Sequence, residues 1–181
     1  MKTMAGTTED SPEAFDCIIA LGSNLGNKVG NIEIAIRLLG ERGDVRIVRR
    51  SRNFATEPWG KIDQDTFVNA CIAVATKLSP RGLLERCQEI EQHMGRQQTE
   101  KWGPRLIDLD LLVFGDKSIH EPDFVLPHPH IAERAFVLAP LMDIAPDLVI
   151  GGRSVRALCG AIDLNGVQAL TSVPNEKAPR S

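Results

Sequence analysis

The sequence predicts an α+β protein in which helices pack against an antiparallel sheet. Short apolar runs alternate along the chain with segments whose apolar residues recur at helical spacing. The order is strand, helix, strand, strand, helix, strand, followed by a helical extension. With 181 residues, 43% of them hydrophobic, the chain is long enough to enclose a core of its own.

The first part of the pattern is a strand, a helix and a second strand. Residues 17–21 form a short apolar run that ends at Gly22, which is typical of a buried strand. In residues 29–41 the apolar side chains recur at helical spacing. Residues 45–54 are rich in β-branched side chains that alternate with charged ones, and this pattern predicts a strand with one solvated face.

The second part repeats the pattern in the order strand, helix, strand. Residues 67–76 are apolar at successive positions, which predicts a central strand buried on both faces. Ser79 and Pro80 begin a helix as its N-cap and its first residue, and Gly95 is suited to end it. Residues 106–114 then predict another strand.

This order is that of the ferredoxin-like βαββαβ sandwich, in which two helices cover one face of the sheet. We expect the other face to be free to carry a site. Residues 132–145 have helical composition and supply the extension, although Pro140 is expected to break or to start a helix there. We expect a flexible amino-terminal extension over residues 1–14, a single domain over residues 15–165 and a carboxyl-terminal tail over residues 166–181.

Composition and charge exclude several classes of protein. The net charge is −3, and aromatic residues make up 4% of the chain with no Tyr, so we expect no nucleic-acid partner. The apolar runs are too short to span a bilayer, and residues 1–12 lack the apolar segment of a secretory signal. We therefore expect a cytoplasmic protein without a membrane partner. The cysteines form no C-x-x-C pair and are expected to be buried thiols.

Asp108 and Asp110 are the sharpest chemical feature of the sequence. Residues two apart in a strand point to the same face, which places the two Cα atoms about 6–7 Å apart. Two carboxylates on one face repel each other, and a cation between them relieves the repulsion. Oxygen ligands favour Mg²⁺ or Ca²⁺ over zinc. The alternative interpretation is a solvated strand edge whose charges discourage pairing with another chain.

Cationic side chains flank this acidic pair in the sequence. Arg96, Lys101 and Arg105 precede it, and His128 and Arg134 follow it. Mg²⁺ held by two carboxylates usually binds substrate phosphates as well, and arginine is a natural phosphate ligand. The set therefore predicts a nucleotide-phosphate pocket. The sequence contains none of the P-loop, G-x-G-x-x-G, G-x-S-x-G and H-E-x-x-H patterns.

Two further groups of residues lie near long connections. Trp59, in the connection over residues 55–65, and Asn69 could stack on and hydrogen-bond a flat heterocycle, although Trp59 is equally well placed to cover the core. Gln88 and Glu91 share one side of the second predicted helix. Such residues usually form a helix surface, but Glu91 is placed where it could face the pocket.

Eight motifs occur in order along the chain. They are Ala20-Leu-Gly-Ser-Asn-Leu25, Thr56-x-Pro58-x-Gly60, Phe67-Val-Asn69-Ala70, Gln88-x-x-Glu91, Gly95-Arg96, Lys101-Trp-Gly-Pro-Arg-x-x-Asp-x-Asp-Leu-Leu112, Leu126-Pro-His128-Pro and Arg134-x-Phe136-Val-Leu-x-Pro140-Leu. In these motifs, over about residues 18–148, the chain resembles the 6-hydroxymethyl-7,8-dihydropterin pyrophosphokinases of folate biosynthesis.

The resemblance implies a ferredoxin-like fold and the transfer of pyrophosphate from ATP to the hydroxymethyl group of the dihydropterin, which releases AMP. It implies two Mg²⁺ ions held by Asp108 and Asp110, catalytic roles for these residues and for Arg96 and Arg105, and a monomer. A non-catalytic nucleotide- or pterin-binding regulatory module of the same fold is the alternative, and the acidic pair beside Arg105 disfavours it.

The resemblance also implies binding residues for both substrates. ATP contacts are expected from Gln88, Glu91, Arg96, Lys101, Trp102, Arg105, His128 and Arg134. Pterin contacts are expected from Gly22, Ser23, Asn24, Thr56, Glu57, Pro58, Trp59, Phe67, Asn69 and Phe136. The chain departs from the family at residues 97–101, where a second arginine is often present, and at Asp123, where some members have arginine.

Overall fold

The predicted alternation of strands and helices is present in the computed structural model, which describes residues 14–57, 65–95 and 106–171. The elements are β1 (Cys17–Ser23), α1 (Lys28–Gly40), β2 (Val45–Arg50), β3 (Phe54–Thr56), β4 (Phe67–Thr76), α2 (Pro80–His93), β5 (Asp108–Phe114), β6 (Ile119–Glu121), β7 (Phe124–Leu126), α3 (Ala135–Ile144), β8 (Val149–Ile150), β9 (Arg153–Ser154), α4 (Val155–Ala161) and β10 (Val167–Ala169). No helix among the described residues is both long and apolar enough to cross a membrane.

Local sequence signals begin both long helices at the predicted places. The Asn27 side chain accepts a hydrogen bond from the N–H of Gly30 at the start of α1. The Ser79 hydroxyl accepts one from the N–H of Gly82 at the start of α2, with Pro80 as the first helical residue. Each cap satisfies a backbone donor that the first helical turn leaves without a partner.

In the described part of the chain, six strands form one antiparallel sheet. Its order is β10-β3-β4-β1-β5, and β2 pairs with the same edge of β4 as β3 does. The predicted strand over residues 45–54 is therefore divided into β2 and β3. It is interrupted at Ser51, whose hydroxyl accepts a hydrogen bond from the Cys71 N–H. Side-chain oxygens that bond to backbone in this way compete with regular strand pairing.

Helices cover both faces of the sheet, which corrects the expectation of a free face. Ile19 and Leu21 of β1 pack in the cluster that includes residues of α1 and α2. Ile18 points the opposite way and packs in the cluster with Leu138 of α3 and Leu158 of α4. The predicted helical extension is thus the second covering layer of the sheet.

Helix α3 continues through Pro140, which corrects the expectation that this residue breaks or starts a helix. Proline removes one helical hydrogen bond and strains the preceding turn. Pro140 is buried, as are Val137, Leu138 and Leu141 around it. Burial of such side chains is worth about 1.5–3 kcal/mol each, which offsets the lost bond.

The carboxyl-terminal part contains more pairing than the sequence predicts. β10 lies within residues 166–181, the range expected to be a tail, and it pairs with β3 as an edge strand of the main sheet. β6 pairs with β7, and β8 pairs with β9. β10 is therefore part of the main sheet.

The cysteines are free thiols, in agreement with the prediction. Cys17, Cys71 and Cys87 are buried, and Cys159 is partly buried. Burial raises the pKa of each of these thiols. The thiol form is therefore favoured over the reactive thiolate.

Candidate active site

Three neighbouring strands align polar groups in one row across the sheet. Asn69 of β4 lies opposite Gly22 of β1, and Gly22 lies opposite Asp108 of β5. Residues that are opposite each other in antiparallel strands point to the same face. Asp110 follows on that face, and Leu109 between the two aspartates is buried on the other. The structure therefore confirms the prediction that Asp108 and Asp110 share one face of the sheet. Both side chains are partly exposed.

Gly22 lies in the middle of this row and has no side chain of its own. A Cβ atom at this position would lie 3.0 Å from Oδ1 of Asn69. The amide of Asn69 is held from the other side, because its Nδ2 donates to Oγ1 of Thr56 over 2.7 Å. Both side chains are buried, at 7% and 5% exposure. Gly22 therefore permits the close approach of an oriented amide to the strand backbone.

Glu91 of α2 holds the edge of β5. Its carboxylate accepts a hydrogen bond from the Leu109 N–H over 2.8 Å, and the residue is only 3% exposed. The sequence left open whether Glu91 faces the pocket, and the structure places this bond at the backbone between the two aspartates. Gln88, three residues earlier on α2, is exposed.

His128 lies close enough to the acidic pair to interact with it electrostatically. Its backbone N–H donates to the carbonyl of Leu112, so β5 also fixes this residue. Burial, together with the charges of Arg134 and His130, lowers the pKa of His128 to about 4, and Asp108 opposes the shift. The imidazole is therefore neutral at pH 7. Because its Nδ1 accepts from the His130 N–H over 3.3 Å, the ring proton is on Nε2.

Arg134 and Phe136 adjoin His128 at the beginning of α3. The Arg134 guanidinium carbon lies 5.7 Å from the centre of the Phe136 ring. Phe136 packs in turn against the core cluster between the sheet and α3 and α4. This contact restrains the Arg134 side chain at the beginning of α3, where its charge acts on His128.

Asp110 and His128 both line a cavity of about 330 Å³. It is lined by Leu84, Leu109, Asp110, Leu111, Pro122, Asp123, Phe124, Val125, His128 and Pro129. One wall comes from α2 and β5, and the other from the β6–β7 hairpin. Sequence reasoning missed this hairpin wall. The Pro122-Asp123 turn between short apolar segments was the signal that could have indicated it.

Arg81 connects the two walls of the cavity. Its guanidinium donates to both carboxylate oxygens of Asp123, over 2.8 and 3.2 Å, and it also pairs with Glu121. The guanidinium carbon lies 5.1 Å from the centre of the Phe124 ring. This pairing lowers the pKa of the Asp123 carboxyl. Arg81 thus ties the hairpin to α2 one turn before Leu84.

Other predicted residues lie around this face or away from it. Ser23 is buried, and its hydroxyl accepts from Asn31 of α1, which places it on the opposite face of the sheet. Asn24 is also buried, at 2% exposure. Phe67 lies opposite Thr56, and Glu57 follows Thr56 and is exposed. The remaining predicted residues lie outside the described ranges; they are Pro58, Trp59, Arg96, Lys101, Trp102 and Arg105.

The donor set of the aspartate pair fits magnesium. Asp108 and Asp110 offer carboxylate oxygens from one face of one strand, and both side chains are partly exposed. Mg²⁺ is commonly bound by one or two carboxylates, with water and substrate phosphates completing its coordination. His128 lies near this pair, since its imidazole interacts electrostatically with Asp108 as well as with Arg134.

Comparisons with known proteins agree on one family. A family model described as 7,8-dihydro-6-hydroxymethylpterin-pyrophosphokinase (HPPK) matches residues 18–146. A 2-amino-4-hydroxy-6-hydroxymethyldihydropteridine pyrophosphokinase of Methylorubrum extorquens is 45% identical over 150 residues, which cover 83% of this chain and 95% of that protein. The Pseudomonas aeruginosa protein of the same name is 40% identical over 153 residues, covering 84% of this chain and 94% of its own.

Solved structures confirm the predicted fold. A structure of HPPK-DHPS in complex with substrates matches 82% of this chain with a TM-score of 0.67 and 14% identity. Plasmodium falciparum HPPK-DHPS with SDX-DHP matches 86% with a TM-score of 0.64 and 16% identity. The present chain spans 43% and 47% of those chains, which is less than half of their length. These likenesses establish the α+β, ferredoxin-like architecture of the present chain.

Proposed function

The chain belongs to the 7,8-dihydro-6-hydroxymethylpterin-pyrophosphokinase family, and on that premise we propose where its two substrates lie and which residues act on them. The reaction is the transfer of pyrophosphate from ATP to the hydroxymethyl group of 6-hydroxymethyl-7,8-dihydropterin, a step of folate synthesis. The observation that supports the placement is the row of Asn69, Gly22 and Asp108, with the cavity adjoining Asp110.

The acidic pair separates two regions of different chemistry. On one side lies the cavity between α2, β5 and the β6–β7 hairpin, where Asp110, Asp123 and His128 join apolar side chains in the walls. On the other side lies the strand backbone at Gly22, beside the oriented amide of Asn69. The nucleotide occupies the first region and the pterin the second, so the β-phosphate and the hydroxymethyl oxygen meet at Asp108 and Asp110.

The pterin is held by its edge as well as by its ring face. Its amide-like edge carries both donors and acceptors, and the Asn69 amide offers both kinds of group. The Thr56 hydroxyl fixes the orientation of that amide before the substrate arrives, which lowers the entropic cost of binding. Phe136, with Arg134 over its ring, contributes an apolar surface at the side of α3.

Asp108 and Asp110 would hold two Mg²⁺ ions at the point where the substrates meet. Bound magnesium supplies charge for the β-phosphate oxygens and lowers the pKa of the attacking hydroxyl. The protein's own groups orient the reactants, since phosphoryl transfer depends mainly on positioning and on charge stabilisation.

His128 and Arg134 act on the phosphates in different ways. The neutral His128 offers its Nε2–H as a hydrogen-bond donor without adding a charge. Arg134 adds a positive charge on the same side. Arg96, Lys101, Trp102 and Arg105, which lie outside the described residues, complete the ATP contacts that the family pattern assigns to them. We further propose that the protein acts as a cytoplasmic monomer.

Nucleotide chromatography tests the reaction directly. The protein is mixed with ATP, Mg²⁺ and 6-hydroxymethyl-7,8-dihydropterin, and AMP is expected only when the pterin and Mg²⁺ are both present. Release of ADP instead would overturn the pyrophosphoryl assignment. Bound ATP with no turnover would favour a non-catalytic regulatory module.

Matched variants test the acidic pair in the same assay. Asp110→Asn keeps the size of the side chain and removes its charge, so AMP formation is expected to fall by at least about a hundredfold. Asp116→Asn makes the same change in the exposed turn after β5 and is expected to leave the rate unchanged. Equal rates for both variants would exclude the proposed metal site.

A further inference from the structure

We propose that β10 is a positioning element for the pterin region: it restrains β3 so that Thr56 can orient the Asn69 amide. The inference rests on the proposed placement of the pterin beside Gly22 and Asn69. The sequence predicts this segment to be a tail. We infer instead that β10 affects the binding of the pterin and not the binding of ATP.

β3 consists of three residues and depends on strands at both of its edges. Its inner edge pairs with β4, where Phe54 lies opposite Asn69. Its outer edge pairs with β10, where Thr56 lies opposite Val167 and Phe54 opposite Ala169. A strand this short has little stability on its own, so a neighbour on each side matters to its position.

The residues on either side of β10 form hydrogen bonds with the residues on either side of β3. The Leu170 N–H donates to the Asn53 carbonyl over 2.8 Å, just before β3 begins. The Glu57 N–H donates to the Gly166 carbonyl over 3.4 Å, just after β3 ends. The Leu170 side chain packs against the main core cluster and anchors the far end of β10.

The restraint reaches the pterin region through one short path. Val167 of β10 lies opposite Thr56 of β3, and the Thr56 hydroxyl accepts from Asn69 Nδ2 over 2.7 Å. The side-chain Oδ1 of Asn69 in turn approaches Gly22 so closely that a Cβ there would lie 3.0 Å away. A displaced β3 would therefore turn the amide that faces the pterin.

The nucleotide cavity does not share this path. Its lining residues come from α2, β5, the β6–β7 hairpin and the segment at His128. None of the lining residues belongs to β3, β4 or β10 in the described part of the chain. Loosening β10 is therefore expected to weaken pterin binding and to spare ATP binding.

Proline substitutions at two adjacent positions of β10 test this inference. Antiparallel partners alternate between pairs that exchange hydrogen bonds and pairs that do not. The bonds at Gly166 and Leu170 make Gln168 and Ala55 a bonded pair and place Ala169 in an unbonded one. Gln168→Pro thus removes a hydrogen bond to β3, whereas Ala169→Pro removes an N–H that points away from it.

The readout is the Michaelis constant of each substrate for each variant. For Gln168→Pro the KM of the pterin is expected to rise about fivefold, since one hydrogen bond is lost, while the KM of ATP stays unchanged. Ala169→Pro is expected to resemble the unchanged protein. Equal KM values for Gln168→Pro and the unchanged protein would overturn the inference. An equal rise for both substrates would show a general loss of structure and would overturn it too.

A second pair of measurements covers the case in which Gln168→Pro does not fold. Leu170→Ala shortens the anchoring side chain and is expected to raise the pterin KM alone, by a smaller factor. Thr56→Val is expected to raise it as well, and to add nothing when combined with Leu170→Ala, because both changes act through the same amide. Fully additive effects would contradict the path. A wild-type protein that forms no AMP would refute the proposed function instead.

Discussion

The Glu91 carboxylate on α2 accepts a hydrogen bond from the Leu109 N–H over 2.8 Å and so fixes the edge strand that carries the acidic pair. Leu109 lies between Asp108 and Asp110, so this bond restrains the backbone that spaces their carboxylates. An N–H on a strand edge costs about 1–3 kcal/mol when it is buried without a partner. Glu91 therefore positions the two aspartates indirectly, through the backbone of Leu109.

Replacing Glu91 by Ala is expected to raise the Mg²⁺ concentration for half-maximal rate by about tenfold, a size that is typical for groups that orient metal ligands. Glu91→Gln retains an oxygen that can accept the Leu109 N–H and is expected to keep nearly the normal Mg²⁺ requirement. The measurement is AMP formation titrated with Mg²⁺ at saturating substrates. A rise in the KM of ATP alone would show instead that Glu91 contacts the nucleotide.

The aspartate pair was predictable because it depends on local periodicity alone. Residues two apart in a strand share a face whatever the strand pairs with, and Asp108 and Asp110 obey this rule. The alignment of Asp108 with Gly22 and Asn69 depends on the register of three strands that are distant in sequence. Register is set by packing across the whole sheet, so the sequence could not show this alignment: it indicated Asn69 only as a polar residue near a long connection, and the role of Gly22 only by family resemblance.

The short strands were unpredictable for a different reason. β6, β7 and β10 have three residues each, too few to show a period of two. Their pairing partners stabilise them, and the sequence does not reveal those partners. Pro140 illustrates the opposite error, because a strong local signal against helix is outweighed by burial between α3 and the sheet.

Gly22→Ala is expected to weaken pterin binding selectively. The added Cβ would lie 3.0 Å from Asn69 Oδ1, and Thr56 holds that amide in place, so the amide has to turn. We expect the pterin KM to rise about tenfold and the ATP KM to stay constant.

Gly160→Ala is the matched control for Gly22→Ala, since a Cβ at position 160 meets nothing within 4 Å. It is expected to stabilise α4 by up to about 1 kcal/mol without changing either KM. An unchanged pterin KM for Gly22→Ala would place the pterin elsewhere.

Arg81→Ala is expected to affect the nucleotide and not the pterin. Arg81 holds Asp123 and contacts Phe124, so its loss frees the hairpin wall of the cavity from α2. Removing it is expected to raise the ATP KM about three- to tenfold, the modest effect expected of a partly exposed ion-pair network. Arg156→Ala removes an exposed arginine that pairs with Asp147 away from the cavity, and it is expected to change neither KM. If the ATP KM rose for both Arg81→Ala and Arg156→Ala, the cause would be the loss of one positive charge and not the loss of the link to the hairpin.

The pKa of His128 is expected to change in opposite directions when the charge of Arg134 or of Asp108 is removed. Burial lowers this pKa most, Arg134 and His130 lower it further, and Asp108 raises it, so that together they bring it from 6.5 to about 4. Arg134→Ala is therefore expected to raise the pKa and Asp108→Asn to lower it, as measured by NMR titration of the imidazole carbon-bound protons in the ligand-free protein. His128→Gln identifies the resonance, with the exposed His120→Gln as control.

The same depressed pKa of His128 gives an expectation for stability. Between pH 6.5 and about 4 the unfolded chain binds the proton that the folded protein excludes, so stability is expected to fall as the pH drops through that range. His128→Gln removes this contribution, and its free energy of unfolding should depend less on pH there than that of the unchanged protein. Parallel pH dependences for the two proteins, measured by urea denaturation, would show that His128 is not buried as a neutral ring.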